Sequence, residues 1–504
     1  MKQSVLISMA LGWAAVHGDD CSVSNSDKQD CGFIGITESE CTSKGCCWDS
    51  SVNDGTPWCF NKAGASSNCF VMNYNMKRPF SDDELDTMRG YFEANINIES
   101  KGGVVAAPDY DTPGGSYYYH WMRDGALTMR TYQEIYSNFT EIESTMKSYV
   151  QWVLDAQAEE DPNGQDVRTE PKFELPNGEV FTGAWCRPQN DGPGLQATAL
   201  MMFADTLIAN DQSDYVSTYL WTNDPTEYYG GAIKRDLDYI VSGFATSTCD
   251  LWEEIRSTNL FWNRLTMKKA MGMGADFASR MGDEATASSY RDTEQKINST
   301  LYDDHWSGSY VLEDTSRTKD SAVIVGFNAG YDSSDGMYNP SSYEVASTVS
   351  SYNSLFCNEY KVNTDDSAKG ITGVLYGRYG GDTYAGGNPW VLSTAALGQL
   401  LYRAASYILD NGVPDSTTLA KWAEAFNADV KDLPTDSELL AEVFAAAGDG
   451  VLLRLRTHVQ GYNWHLAEQL DRNTGAQISA EDLTWSYAEV LNAMRQRDIY
   501  ISKT

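Results

Sequence analysis

Basic residues are scarce in this 504-residue chain: 37 Lys and Arg stand against 71 Asp and Glu, a formal net charge of −34. That balance excludes nucleic acid as a natural partner, because grip on a phosphate backbone needs a basic face that displaces counterions. It excludes an anionic membrane surface on the same ground. Histidine is scarcer still. The five, His17, His120, His305, His458 and His465, are scattered and lack the paired spacing of a zinc helix. No Gly-x-Ser-x-Gly elbow is present. Gly272-Met273-Gly274 is only a fragment of a dinucleotide fingerprint, inside a helical stretch with no strand before it. No metal and no cofactor are therefore expected. Beyond Val16 no segment is long and apolar enough to span a bilayer, and strand-like alternation is sparse.

The residues that are present narrow the class. At 42 % apolar and 12 % aromatic the chain is too rich in core-forming residues for a disordered acidic tail. The acid excess bears on solubility and tolerance of acid, since carboxylates lose charge as pH falls towards about 4. Lys2 precedes an apolar stretch from Val5 to Val16, and Val16-His17-Gly18 follows with small residues where a signal peptidase reads. Residues 1–18 thus read as a signal peptide, which implies secretion or a lysosomal or vacuolar lumen and an oxidising setting for cysteine. Asn138-Phe139-Thr140 and Asn298-Ser299-Thr300 are glycosylation acceptors in such a compartment.

Six of the ten cysteines lie between Cys21 and Cys59, where aliphatic residues are few. A segment of about 40 residues cannot bury enough apolar surface to fold unaided, so covalent staples are expected. Six cysteines admit 15 pairings, among which spacing does not choose. Lys28-Gln29-Asp30-Cys31-Gly32-Phe33, Thr37, Cys41 and Cys46-Cys47-Trp48 resemble the P-type, or trefoil, signature. That resemblance implies the pairs Cys21–Cys47, Cys31–Cys46 and Cys41–Cys59, and a small accessory domain with glycans as a further class of partner. The domain is placed at 19–62. A polar stretch rich in Gly and Ser follows and reads as a linker at 63–68, and residues 69–504 form one uniform domain.

That domain reads as mostly helical. Ser81-Asp82-Asp83-Glu84 is a capping box opening a helix to about Asn95. Asn388-Pro389 looks like the start, and Asn411-Gly412-Val413-Pro414 the stop, of another. Trp390–Leu409 and Leu195–Ile208 are apolar on almost every face, so they must be buried inside a larger assembly. Further helices are expected at Ala126–Ala156, Lys234–Thr246, Phe261–Arg280, Glu284–Tyr302, Ser342–Cys357, Thr417–Lys431, Ser437–Ala447 and Ala480–Arg497. Apolar helices together with amphipathic ones suggest an inner ring wrapped by an outer one.

The 14 Trp and 30 Tyr fall repeatedly beside carboxylates, Arg or Asn. The clusters are Tyr117 to Asp124, Trp185 to Asp191, Asp250 to Glu254, Arg378 to Tyr384 running on to Trp390, and Ala467-Glu468-Gln469 with Trp485 soon after. A sugar has an apolar face for aromatic rings and a rim of hydroxyls for charged hydrogen bonds. Tryptophan beside paired acids also favours a carboxyl that keeps its proton for acid catalysis. Glu253 and Glu254 are adjacent. Neighbours on a helix point about 100° apart, so the catalytic partner must come from elsewhere.

These blocks, with Gly183-Ala184-Trp185, Arg187-Pro188-Gln189, Asp191-Gly192-Pro193, Gly387-Asn388-Pro389-Trp390 and Leu483-Thr484-Trp485-Ser486-Tyr487, resemble glucoamylase, glycoside hydrolase family 15, from about residue 70 onward. The resemblance implies a mainly α fold, an (α/α)6 barrel preceded by the trefoil domain. It further implies a glucan 1,4-alpha-glucosidase that releases β-D-glucose from non-reducing ends of malto-oligosaccharides, starch or glycogen, and attacks α-1,6 bonds more slowly. Glu253 is implied as general acid and Glu468 as general base, some 6.5 to 9.5 Å apart as in inverting enzymes. Arg123, Asp124, Arg378, Gln469 and the Leu251 carbonyl are implied to grip the terminal glucose, with Tyr117, Trp121 and Trp485 as walls. Trp185 and Trp390 would pack the next sugar, Glu254 would bond it, and Ser479 would support the base.

Cys186, Cys249 and Leu470 depart from the usual family residues. A Cys186–Cys249 bridge at the pocket rim, with Cys69 paired to Cys357, is one of three arrangements of the remaining cysteines. A Cα separation above about 7 Å excludes it. Neither end carries a recognisable starch-binding domain, so raw granules are expected to be a poor substrate. Two other readings stay open: the same fold acting on trehalose or dextran linkages, and a non-catalytic glycan-binding trefoil protein. Glucose release from maltose discriminates them.

Overall fold

The computed structural model describes residues 21–25, 28, 31–33, 35–51, 56–62, 68–136, 138–223, 231–332 and 336–504. The signal segment 1–18 and most of the linker lie outside the described residues. Two compact units divide between Ser67 and Asn68. Asn68, the last linker residue in the sequence reading, is buried, and its side-chain amide donates to the Glu424 and Ala425 carbonyls at 2.8 and 3.0 Å. It therefore belongs to the second unit.

The first unit is held by sulfur. Disulfides join Cys21 to Cys47, Cys31 to Cys46 and Cys41 to Cys59, with Cα atoms 5.5, 6.3 and 5.8 Å apart. Its small core is Cys31, Cys41, Cys46 and Cys59 with Ile36 and Trp48 packed on it, too little apolar area to hold a fold without covalent help. The helix Glu38–Ser43 opens with a Thr37–Glu40 capping box, and Cys47–Trp48 pairs antiparallel with Cys59–Phe60. Cys31, Cys46 and Cys59 are the one group of metal-type donors drawn together among the described residues, and all three are committed to disulfides.

The second unit is built from helices α1 (Asp82–Ala94), α2 (Met122–Ile135), α3 (Phe139–Ala158), α4 (Asp191–Ala209), α5 (Ala232–Gly243), α6 (Phe261–Arg280), α7 (Glu284–His305), α8 (Ala322–Ala329), α9 (Tyr343–Glu359), α10 (Lys361–Ala368), α11 (Val391–Asn411), α12 (Ser416–Ala425), α13 (Ser437–Val459) and α14 (Thr484–Lys503). Six of them form a closed ring in which each packs on the next: α2, α4, α6, α8, α11, α14 and back to α2. An outer helix follows and covers most inner ones, as α3 does α2, α5 does α4, α7 does α6 and α13 does α11, while α1 closes the outer layer on α14. This is an (α/α)6 barrel. Ala, Leu and Met dominate the inner helices, and from Asp191 to Met201 and from Val391 to Tyr402 every residue is buried. No helix among the described residues is long and apolar enough to cross a membrane.

Several boundaries differ from the sequence reading, each for a local reason. Extended backbone at Tyr136 and Asn138 splits the expected Ala126–Ala156 helix into α2 and α3. Helix α13 runs on past Ala447 because Gly448 and Gly450 mark close packing, not an end: a Cβ there would lie 2.8 Å from the Tyr402 ring and 3.0 Å from Asn73 Cβ. Helix α14 starts at Thr484, since Ala480 and Leu483 instead pair with Glu468 and Leu466. Asn388 is not a cap; its amide donates to the Ala385 carbonyl and to Gln469, and α11 begins at Val391. The Thr417–Lys431 helix ends at Ala425, before Asn427 with φ of +52°. Helices α8 and α10 were not anticipated. Asn138 is exposed at the head of α3, whereas Asn298 lies within α7 with its amide oxygen buried.

Disulfides Cys69–Cys357 and Cys186–Cys249 complete the set, with Cα separations of 5.5 and 6.0 Å. The charged keystone is Asp449 on α13, which is fully buried. It accepts from Arg497 of α14 at 2.6 Å, from Tyr402 of α11 at 2.7 Å and from the Lys77 backbone at 2.7 Å. Asp449→Ala strands the Arg497 guanidinium in the core and is expected to lose about 3 to 5 kcal/mol, read as a fall in the urea midpoint.

Candidate active site

The N-terminal ends of the inner helices share one end of the barrel, and the loops that lead into them enclose a cavity of about 300 Å3. Tyr117, Trp121, Arg123, Asp124, Trp185, Leu251, Glu253, Glu254, Arg378, Trp390, Glu468 and Trp485 all line it. The loops are pinned by short ladders. His120–Trp121 pairs with Lys172–Phe173, Thr248–Cys249 with Arg256–Ser257, and Gln469–Leu470 with Gln477–Ile478. Cys186–Cys249 ties the Trp185 loop to the strand that precedes Asp250.

Glu253 sits at the tip of the Thr248–Ser257 hairpin, not on a helix, with φ of +66°. A non-glycine residue in that left-handed region is strained by an amount on the order of 1 kcal/mol or more, and the surroundings must hold it there. They do so through its side chain. Trp121 Nε1 and Gln189 Nε2 donate to Oε1 at 2.9 and 2.8 Å, Trp185 Nε1 donates to Oε2 at 2.8 Å, and Arg123 lies 3.4 Å from Oε1. Glu254 points elsewhere. Arg378 and Arg317 bond its two oxygens at 2.9 and 2.8 Å, and the Tyr379 hydroxyl donates to it as well.

Glu468 is 1 % exposed and receives three donors: the Ser479 hydroxyl at 2.5 Å, the Gln469 amide at 2.7 Å and the Tyr117 hydroxyl at 2.8 Å. The pairing of Gln469 with Ile478 sets Glu468 opposite Ser479, whose own φ is +69°. Burial raises the Glu468 carboxyl above its ordinary range, and the Ser479, Tyr117 and Gln469 hydrogen bonds offset only part of that rise.

Arg123 and Asp124 form the first turn of α2. Burial works against the Arg123 charge, but Asp191, Asp124 and Glu253 outweigh it and hold the guanidinium protonated. Burial pushes the Asp124 carboxyl up to about 7, against the pull of Arg123. Arg123 Nε and Asp124 Oδ2 meet only each other, as an ion pair at 3.5 Å, and Trp390 Nε1 is buried without a hydrogen-bond partner. All three residues face the cavity, and buried polar atoms of this kind call for a polar ligand. Arg378 is locked by Asp382 at 2.6 and 2.8 Å and lies over the Tyr384, Trp390 and Trp252 rings.

Two of the expected site residues do not line the cavity. Gln469 is fully buried behind Glu468, bonded to it and to Asn388. Ser479 lines a separate cavity of about 280 Å3 with Ala467 and Gln477. Conversely, three residues were not singled out from the sequence. Arg317 holds Glu254 and Asp250, Tyr384 bonds the Tyr117 hydroxyl at 2.8 Å, and Lys172 lies beneath Trp121 and Trp185. Tyr384 stood inside an aromatic cluster, which was its signal; Arg317 and Lys172 have no distinctive neighbours in the chain.

Two carboxylates set against one sugar-sized cavity, under indoles and beside a guanidinium, make this the site of a glycoside hydrolase. Residues 92–495 match the glycosyl hydrolases family 15, and residues 21–62 match the trefoil (P-type) domain. A glucoamylase of Blastobotrys adeninivorans is 32 % identical over 84 % of this chain and 72 % of its own length, and glucoamylase 1 of Rhizopus oryzae 31 % identical over 79 % and 67 %. The solved family 15 glucoamylase of Hypocrea jecorina superposes with a TM-score of 0.73 at 28 % identity, covering 83 % of this chain and 72 % of that one. The chain belongs to glycosyl hydrolases family 15.

The loop from Arg378 to Trp390 offers a direct test of how the site is held. Gly387 has φ of +69°, and a Cβ there would sit 1.9 Å from the Asp382 carbonyl oxygen, which is backbone and has little room to yield. Gly387→Ala is expected to displace Asp382 from Arg378. A crystal structure of the variant should show the ion pair broken, and its melting temperature should fall by several degrees.

Proposed function

We propose that the protein removes glucose units from the non-reducing ends of α-1,4-linked glucans, and more slowly from α-1,6 bonds, with inversion to β-D-glucose. The observation that carries this reading is that Glu253 and Glu468, each held by its own set of donors, border one cavity in a chain of glycosyl hydrolases family 15. Glu253, under indoles, protonates the glycosidic oxygen as the C1–O bond breaks. Glu468, held by Ser479, Gln469 and Tyr117, takes a proton from the water whose oxygen attacks C1 from the opposite face. Arg123, Asp124, Arg378 and the Leu251 carbonyl hold the hydroxyls of the terminal glucose, and Tyr117, Trp121 and Trp485 cover its apolar face. Trp185 and Trp390 pack the next unit and Glu254 bonds it. Gln469 and Ser479 act through Glu468 as positioning residues.

The same reading places the protein outside the cell or in an acidic lumen, in keeping with the five disulfides and the excess of carboxylates. The trefoil unit is proposed to bind glycans. Trp58, 45 % exposed and edge-on to Trp48 at 6.0 Å, supports that role.

Glu253→Gln and Glu468→Gln should each cut glucose release from maltose by at least about a hundredfold while the far-ultraviolet circular dichroism stays unchanged. Full activity in either variant defeats the assignment. Proton NMR of fresh product should show the β anomer first, and parallel assays on isomaltose, trehalose and soluble starch fix the linkage.

Ser479→Ala tests the base. Loss of a hydrogen bond to the charged form leaves burial less opposed, so Glu468 ionises at higher pH. The acidic limb of kcat/KM, which reports the base in the free enzyme, should move up by about one pH unit. An unmoved limb would place the titration elsewhere.

A further inference from the structure

Lys172 is a buried cation without a carboxylate partner of its own. It is 2 % exposed, and among the described residues it forms no ion pair and no side-chain hydrogen bond. Four rings surround its ammonium instead. The ring centres of Trp185, Phe181, Tyr119 and Trp121 lie 3.4, 4.0, 4.4 and 4.7 Å from Nζ. Lys172 is also the cross-strand partner of Trp121. Of the charged groups around it, Glu170 is engaged by Arg187 at 2.7 Å, Glu174 lies further along the same loop, and Glu253 is the carboxylate beyond the indoles. Two of the four rings also serve the acid, since Trp121 and Trp185 donate their N–H groups to the two oxygens of Glu253.

A buried lysine used only as filler would be costly, because a methionine of similar length fills the same space without desolvating a charge. Burial does tell on the ammonium, drawing it down to about 8 against the attraction of Glu253. It therefore stays charged through acidic and neutral pH. Rings facing a cation return part of that cost.

We propose that Lys172 is a positioning residue for the general acid: seated on the faces of Trp121 and Trp185, it strengthens the two indole N–H donors and steadies the carboxylate that Glu253 becomes on giving up its proton. This rests on the assignment of Glu253 as the acid. The chemistry follows from charge. A cation on the π face draws electron density away from the indole nitrogen, which makes its N–H a better donor. As the Glu253 proton passes to the glycosidic oxygen, negative charge grows on the carboxylate one indole's breadth from the ammonium. Arg123 supports the same charge from the other side and Asp124 opposes it.

The test uses Lys172→Met and Lys172→Arg in the full-length enzyme, with Lys172→Gln as a second neutral variant should the first not fold. Two substrates are compared: maltose, whose leaving group needs a proton, and α-glucosyl fluoride, whose fluoride departs without one. The neutral variant is expected to lose roughly tenfold in kcat on maltose, with KM little changed and a much smaller loss on the fluoride. The alkaline limb of its pH profile should move up, because the acid keeps its proton longer without the cation, and Lys172→Arg should return the limb towards the parent. Equal loss on both substrates, or an alkaline limb that stays in place, overturns the proposal and leaves Lys172 a packing residue. Failure of the acid assignment itself is read separately, from activity surviving in Glu253→Gln.

Discussion

A carboxylate can be kept in a nearly closed pocket only if the protein supplies the hydrogen bonds that water would have made. Three carboxylates of the cavity are served in this way, each by its own set of donors. Glu468 has two hydroxyls and an amide; Glu253 has two indoles, an amide and an arginine; Glu254 has two arginines and a phenol. Each set draws on more than one segment of the chain, and no single loop carries a working set. The ring of inner helices is what brings the loops to one place, and its all-round burial is what makes that place rigid.

The loops are irregular, yet they are not slack. The positive φ of Glu253 and of Ser479 puts local strain at the two points where a carboxylate must be aimed, and the adjoining two-residue ladders resist its release. In each case the strained residue stands beside a paired strand, so the backbone cannot swing without breaking a ladder. The Cys186–Cys249 bridge adds a covalent tie to one of these hairpins. Rigidity of this kind suits a site whose donors must already point at the charge before it forms.

Much of the barrel was legible in the chain. Helices apolar on every face had to be interior, and Trp390–Leu409 and Leu195–Ile208 fall within two of the inner six. Aromatic rings beside acids marked the clusters, and the resemblance to family 15 picked out within them twelve of the residues that line the cavity. The misreadings share a cause, which is contact between distant segments. The helix expected to end at Ala447 continues because Gly448 lets the Tyr402 ring close against it, and Asn388 reads as a cap until Gln469 competes for its amide. Gln469 reads as a wall residue until its hairpin is seen to turn its amide onto Glu468. Lys172 is silent in sequence, since nothing local says that four rings from other positions will close over it.

The ring also joins helices that lie far apart in the sequence. Helix α14 completes the inner circle against α2 and receives α1 on its outer side, so helices about 400 residues apart in the barrel pack on one another. During synthesis the inner apolar faces of α2 and α11 remain without their final neighbour until α14 has left the ribosome. The barrel must therefore wait as an open arc, with its aromatic interior bare, and complete folding in one late step of long sequence separation. Closure of this kind leaves apolar surface bare for longer than in a protein whose helices pair with their neighbours in order.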